Sequence, residues 1–177
     1  MIAIAAADEN LGIGFEGKLL ADLPGDRRYF REYTLNKVVV MGRKTLESLP
    51  GGRPLPSRVN IVLSRNPAFR ADCEVFSSFE RCLARLAHLD RDAVYIAGGA
   101  EIYRQFLPYC DACLITRIEA KLPADAFFAD LDADGAFECV FESAPQSENG
   151  FVYRFTRYVR KGAPASAFPQ GNRGGNG

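Results

Sequence analysis

The chain is 177 residues long, enough for one domain with a sizeable core. Lys plus Arg and Asp plus Glu each number 22, which disfavours nucleic acid or an anionic membrane as the main partner, since both ask for a basic surplus. The opening MIAIAAADEN has no basic flank, and its apolar run is too short for a signal peptide or a membrane span, so a cytoplasmic protein is expected.

Taken in chain order, the apolar runs are short and spaced like strands, at 2–7, 38–41, 60–63, 75–76, 93–97 and 113–118. Several are continuous rather than alternating, as in strands buried on both faces of a parallel sheet. Helical patterns fall between them at 27–34, 44–48, 79–89 and 101–107, the last stopping at Pro108. The third puts Phe79, Cys82, Leu83 and Leu86 on one face, with Ser77 and Glu80 spaced as a capping box. This alternation predicts a single α/β domain over residues 1–161, with a mixed, mostly parallel sheet of about eight strands and about four helices.

Near the end the rhythm changes. Residues 152–159 alternate, 137–141 are strand-like, and Asn149-Gly150 is a turn signal between them, so the two should pair antiparallel at one edge. Residues 162–177 are rich in Gly, Pro, Ala and Asn and are expected to form a disordered tail.

Five cysteines, an odd number, fit reduced thiols. Cys110 and Cys113 form one CxxC, but Cys113 begins an apolar run, so core thiols are expected. The one histidine, His88, ends a helical pattern and should be exposed. No metal site is expected, and a Ser–His triad is disfavoured.

Three strand-to-helix junctions have the character of an anion-binding surface. In VVVMGRKTLESL the strand ends at Gly42, and Arg43, Lys44 and Thr45 start a helix. In NIVLSRNP, Ser64 and Arg65 follow a strand end. In VYIAGGAEIY, Gly98 and Gly99 lead into Ala100, Glu101 and Ile102. Free N–H groups, helix dipoles and guanidinium groups suit a phosphate, although each junction alone also reads as a plain turn. In a parallel sheet all of them fall on the carboxyl edge, where ligands bind. None completes a GxGxxG or P-loop pattern.

Asp26 opens a helix behind a glycine-bearing stretch with Gly12, Gly14 and Gly17, which could move as a lid. The acid is either a solvated first-turn charge or an enclosed carboxylate able to clamp an N–C–N edge with paired hydrogen bonds.

Together IAIAAADENLGIGFEGKLL, DLPGDRRYF, TLNKVVVMGRKTLESLPGGRPLPSRVNIVLSR, YIAGGAEIYRQFLP, LITRIEA and PADAFFAD resemble the bacterial dihydrofolate reductases from Met1 to about Val159. The resemblance implies NADPH-dependent reduction of 7,8-dihydrofolate to tetrahydrofolate by a monomer that diaminopyrimidine antifolates would inhibit. It makes Asp26 the pterin-binding carboxylate and Thr116 its support. Ile4, Ala5 and Ala6 become the inner wall, Phe30 and Leu49 the ring contacts, and Arg58 the partner of the glutamate α-carboxylate. For NADPH it implies Arg43, Ser64 and Arg65 around the 2′-phosphate and Thr45, Gly98 and Gly99 at the pyrophosphate. Gly42, Lys44, Ala100, Glu101 and Ile102 flank those groups. Ala6, Ile13 and Ala97 line the nicotinamide site, and residues 12–23 form the lid.

Three positions depart from the family pattern. Ala21 stands where many members have Trp, and the chain has no Trp at all. Arg27 replaces an apolar residue after the acid, its guanidinium facing either the ligand or solvent, and solvent is the expectation. Ala126 replaces the usual Thr of PADAFFAD. A pyrimidine reductase of riboflavin synthesis would share the cofactor surface but not the acid after Leu-Pro. A non-catalytic NADPH- or folate-binding protein is the reading from another class.

Overall fold

The computed structural model describes residues 1–163. Strand Ile2–Ala7 (β1) leads through the short strand Gly12–Gly14 (β2) to helix Pro24–Thr34 (α1). Strand Val38–Gly42 (β3), helix Arg43–Ser48 (α2), strands Val59–Leu63 (β4) and Glu74–Phe76 (β5), and helix Phe79–Leu86 (α3) follow. Strand Val94–Ile96 (β6), helix Ala100–Phe106 (α4) and strand Ala112–Ile118 (β7) continue the alternation. Strand Ala126–Phe127 (β8), the one-turn helix Leu131–Asp134 (α5), and strands Phe137–Glu142 (β9), Gln146–Glu148 (β10) and Phe151–Arg160 (β11) complete it.

Nine strands form the main sheet in the order β10-β11-β7-β1-β6-β3-β4-β5, with β9 also paired to β11. From β7 to β5 every neighbour is parallel, so the carboxyl ends of β1, β3, β4 and β6 share one edge. The continuous apolar runs have the reason expected of them. Val39 packs on one face with Met41, Leu46 and Val62, whereas Val40 packs on the other with Ile61, Ile96 and Phe106, and both valines are fully buried. Burying each such side chain stabilises by about 1.5–3 kcal/mol.

Strand β11 pairs antiparallel with β7, β9 and β10, as the alternation of its sequence predicts. The Asn149-Gly150 turn joins β10, not β9, to β11, with both residues at positive φ, 51° and 81°. That is the backbone of a tight primed hairpin, in which Asn and Gly are at home. Strand β9 pairs with the later half of β11.

Four short elements, β2, β8, β10 and α5, go beyond the predicted set, because two to four residues are too few to carry a period. Helix α1 starts at Pro24, three residues before the apolar pattern does. The cap of α3 is Ser78, whose hydroxyl accepts from the Arg81 N–H at 3.2 Å, so the expected Ser77–Glu80 box is displaced by one residue. All five thiols are free, Cys110 and Cys113 are buried, and burial pushes the Cys110 thiol up to about 12. His88 is exposed. Among the described residues no helix is long and apolar enough to cross a membrane. The expected tail disorder lies, from residue 164 onward, outside the described residues.

Candidate active site

Asp26 sits in the first turn of α1, where Pro24 can occupy the helix start because its missing N–H would be unpaired there anyway. The Thr116 hydroxyl, on β7, donates to Asp26 Oδ1 at 2.5 Å. Thr116 is itself buried. Burial holds the Asp26 carboxyl above the ordinary carboxylate range, and the Thr116 hydrogen bond opposes this in part. Asp26 is half-buried and hydrogen-bonded rather than a freely solvated first-turn charge. Arg27, by contrast, faces solvent and pairs with Asp22.

Around the acid, Ile4 belongs to a cluster with Ile2, Tyr95 and Leu114, against which Phe30 and Ala97 pack. Phe30 also joins Leu49, Leu55 and Ala97 on the neighbouring cluster of Val39, Met41 and Leu46. Ala6 lies against Leu23 and Tyr153, and Ala5 and Ile13 against the main core. Tyr103 of α4 donates to the Ile4 carbonyl at 2.6 Å, and burial, with the charge of Asp26 second, raises its phenol. Sequence reasoning passed over Tyr103 and Leu55. The buried Asn60 accepts from the Leu55 N–H at 3.0 Å and donates to its carbonyl at 2.9 Å. A polar Asn inside the run RVNIVL was the available signal.

Arg58 is braced rather than free. Its guanidinium donates to the Pro56 carbonyl at 2.7 Å and from two nitrogens to the Thr34 hydroxyl at 3.2 Å. Burial and the nearby Arg31 charge lower its pKa. Arg31 is a third residue the sequence reading missed.

The three junctions come together on the carboxyl edge. Gly42 N–H donates to the Gly98 carbonyl at 2.8 Å, and Ala97 N–H to the Val40 carbonyl at 2.9 Å, tying the end of β3 to the end of β6. A Cβ on Gly98, which sits at φ 102°, would meet the Tyr103 ring at 3.1 Å, and one on Gly99 would lie 3.5 Å from the Thr45 hydroxyl. A Cβ on Gly42 would press on Ile102 at 3.1 Å. These glycines therefore leave a side-chain-free cradle where α2 and α4 begin, with the first N–H groups of each helix lacking an intrahelical partner.

Not every predicted cofactor residue offers its polar group. Ile102 is buried, and its N–H is bonded to the Gly99 carbonyl, so it supports the cradle from beneath. Arg43 donates twice to Glu47, at 2.8 and 2.9 Å. Glu101 is held by Arg104 and Gln105, with Arg65 near enough to lower it further. Ser64 is buried, its hydroxyl accepting from the Asn66 N–H at 3.2 Å, while Lys44 and Arg65 are exposed. A surface cavity of about 540 Å³ beside Arg104, Phe127 and Arg160 is also lined by Ala100, Glu101 and Tyr103, at the start of α4.

The stretch expected to act as a lid has an anchored base. Buried Asp8 accepts from Gly12 N–H at 2.7 Å and Asn10 N–H at 3.0 Å on one oxygen, and from Leu122 N–H at 2.8 Å on the other. Strand β2 pairs with β8, and Asp125 accepts from Glu16 N–H at 2.9 Å. Ala126 sits opposite Gly14 in that pairing, where a threonine would have added a hydroxyl.

A mostly parallel sheet with a glycine-floored hollow on its carboxyl edge, and a half-buried carboxylate bonded to Thr116 on the same sheet, has the character of a ligand-binding α/β enzyme scaffold. The comparisons make this specific. The sequence model of the family "Dihydrofolate reductase" matches residues 1–160. The dihydrofolate reductase of Neisseria gonorrhoeae is 41% identical over 159 residues, covering 89% of this chain and 96% of that protein. The bifunctional dihydrofolate reductase-thymidylate synthase of Daucus carota is 37% identical over 177 residues, and the match spans 89% of this chain but 33% of that protein. A dihydrofolate reductase from Enterococcus faecalis, complexed with NADP(H) and RAB-propyl, superposes with a TM-score of 0.80 at 34% identity, over 90% of this chain and 95% of that one. The chain belongs to the dihydrofolate reductase family.

Proposed function

We propose that this chain reduces 7,8-dihydrofolate to 5,6,7,8-tetrahydrofolate with NADPH. The observation that carries the reading is the Asp26–Thr116 pair, a half-buried carboxylate held by a buried hydroxyl. Substrate and product differ by one reduced C=N bond, so a hydride goes to carbon 6 and a proton to nitrogen 5. Bound NADPH supplies the hydride. Asp26 holds the 2-amino group and N3 of the pterin, and burial, which raises its pKa, favours the protonated form needed to assist protonation. Thr116 fixes the orientation of that carboxylate. Ile4, Ala5, Ala6, Phe30 and Leu49 exclude water and position the rings, and Arg58 takes the α-carboxylate of the glutamate.

The residues present fit the dinucleotide. Gly42, Gly98, Gly99, Ala100 and Thr45 suit its pyrophosphate, and Arg43, Ser64 and Arg65, flanked by Lys44 and Glu101, its 2′-phosphate. Ala6, Ile13 and Ala97 suit the nicotinamide, and Ile102 supports the floor. Guanidinium partners for a 2′-phosphate favour NADPH over NADH. The function is assigned to a domain of residues 1–161, acting as a cytoplasmic monomer on small molecules. The even balance of 22 basic and 22 acidic residues supports partners other than nucleic acid and membranes.

Loss of NADPH absorbance on adding dihydrofolate tests the reaction, with wild type and Asp26→Asn side by side. Turnover that collapses in the variant at neutral pH supports the reading. Tight NADPH binding without turnover would redirect the search to pyrimidine substrates of the same scaffold.

A further inference from the structure

The hairpin joining β10 to β11 grips the first turn of α1. The N-cap of that helix is Leu23, whose side chain cannot accept a hydrogen bond. The first N–H groups must therefore find oxygens elsewhere. Gly25 N–H finds Glu148 Oε2 at 2.6 Å, 123 residues away in sequence. The same oxygen accepts the Tyr153 hydroxyl at 3.0 Å, and Oε1 accepts Arg28 at 3.2 Å. Tyr153 is buried in a cluster with Leu23 and Ile118, against which Ala6 and Ala21 pack. There is no slack at this contact. A Cβ on Gly25 would run into the Tyr153 hydroxyl and lie 3.0 Å from Glu148 Oε2. The next residue along the helix is Asp26.

We infer that Glu148 and Tyr153 are positioning residues for Asp26. Glu148 caps α1 in place of a local capping side chain, Tyr153 fixes the Glu148 carboxylate, and together they set where the Asp26 carboxyl points. The inference rests on the reading of Asp26 given under Proposed function. A helix end without a cap frays, whereas a two-point clamp on a heterocycle needs its carboxylate fixed, and a misplacement of about 1 Å can cost about 10²-fold in rate. The Gly25 N–H also lowers the Glu148 carboxyl, which favours its ionised, accepting form. The groups facing Asp26 are Thr116 from β7, Tyr103 from α4 and Tyr153 from β11. Arg27 and Arg28 on its own helix are exposed. The Arg28–Glu148 pair is open to solvent and contributes little.

The test compares wild type with Glu148→Ala, Glu148→Gln, Tyr153→Phe, Gly25→Ala and Arg28→Met. The readouts are kcat and KM for dihydrofolate and NADPH across pH, together with thermal unfolding. Glu148→Ala should lower kcat/KM for dihydrofolate about tenfold and move the pH limb that reports Asp26, with KM for NADPH unchanged. Gly25→Ala should do the same from the helix side. Gln keeps an acceptor for the Gly25 N–H and should recover most of the loss, and Arg28→Met should behave as wild type. A folded Glu148→Ala enzyme with wild-type kinetics and pH profile would overturn the inference, whatever its melting temperature, as would a Gln variant no better than Ala. If Glu148→Ala does not fold, Tyr153→Phe decides, since it removes one hydroxyl. A fall of about threefold with a shifted pH limb supports the inference, and unchanged kinetics sink it. Failure of the wild type to turn over dihydrofolate would instead overturn the functional reading, and the positioning role would fall with it.

Discussion

Thr116 reaches across 90 residues of sequence to place its hydroxyl 2.5 Å from Asp26 Oδ1. One residue comes from the carboxyl half of a buried strand, the other from the first turn of a helix, with α2, α3 and α4 between them in the chain. The pair joins strand β7 to the first turn of α1. Its electrostatic character follows from burial, with the hydrogen bond as a counterweight.

Asp26→Asn should lower kcat/KM about 10²- to 10⁴-fold near neutral pH, the usual range for a lost acid–base group. The same change should stabilise the fold. A folded-state pKa raised above the unfolded value means that the native protein binds more protons than the unfolded chain between the two. Stability contributed by this group is therefore fully present below about pH 4, the unfolded value, and is lost as pH rises through the folded one. Denaturation of wild type and variant should show Asn more stable at neutral pH, with the difference closing as pH falls. An Asn variant less stable at neutral pH would contradict the assignment of burial as the dominant cause.

Arg58→Leu should raise KM for dihydrofolate by about 10- to 100-fold, the worth of a charge-assisted hydrogen-bonded pair. A pterin substrate lacking the glutamate should show no such change. If both substrates lose equally, Arg58 is bracing the loop at Pro56 and the end of α1 rather than binding a carboxylate.

Glu47→Gln should release Arg43 from its paired hydrogen bonds and lower KM for NADPH by about two- to fivefold, leaving NADH unaffected. Arg65→Leu should do the opposite, weakening NADPH alone. Steady-state titration of the two cofactors distinguishes the outcomes, and parallel changes with NADH would remove the 2′-phosphate from the explanation.

Asp8→Ala leaves three backbone N–H groups around the lid base without their acceptor and should destabilise by about 2–4 kcal/mol. Urea unfolding measures this directly. Hydrogen exchange should localise the loss to residues 10–14 and 120–124.

Ala21→Trp should tighten binding of a diaminopyrimidine inhibitor, because it extends the apolar cluster of Leu23, Ile118 and Tyr153. Arg27→Leu should leave that affinity within about twofold, since the guanidinium faces solvent beside Asp22. A large effect at Arg27 would mean that it turns inward when ligand is present.

The sequence by itself determined the parallel core, the junctions and the candidate acid. Runs such as VVVM at 38–41 are apolar on consecutive residues, a pattern compatible with burial on two faces, and parallel strands place their carboxyl ends on one edge. Gly42, Gly98 and Gly99 could be picked out because a glycine between strand and helix permits a close approach that no other residue allows. Tertiary structure alone decided what those groups face. It turned Arg27 outward and Asp26 inward from adjacent positions on one helix. It bound Arg43 to Glu47, and it brought Glu148 and Tyr153 to Gly25 from the far end of the chain. Local periodicity reports which side of an element is apolar. It carries no information on which polar atoms, more than a hundred residues apart, will satisfy one another, because that depends on strand order and on the closeness of backbones once the sheet is assembled.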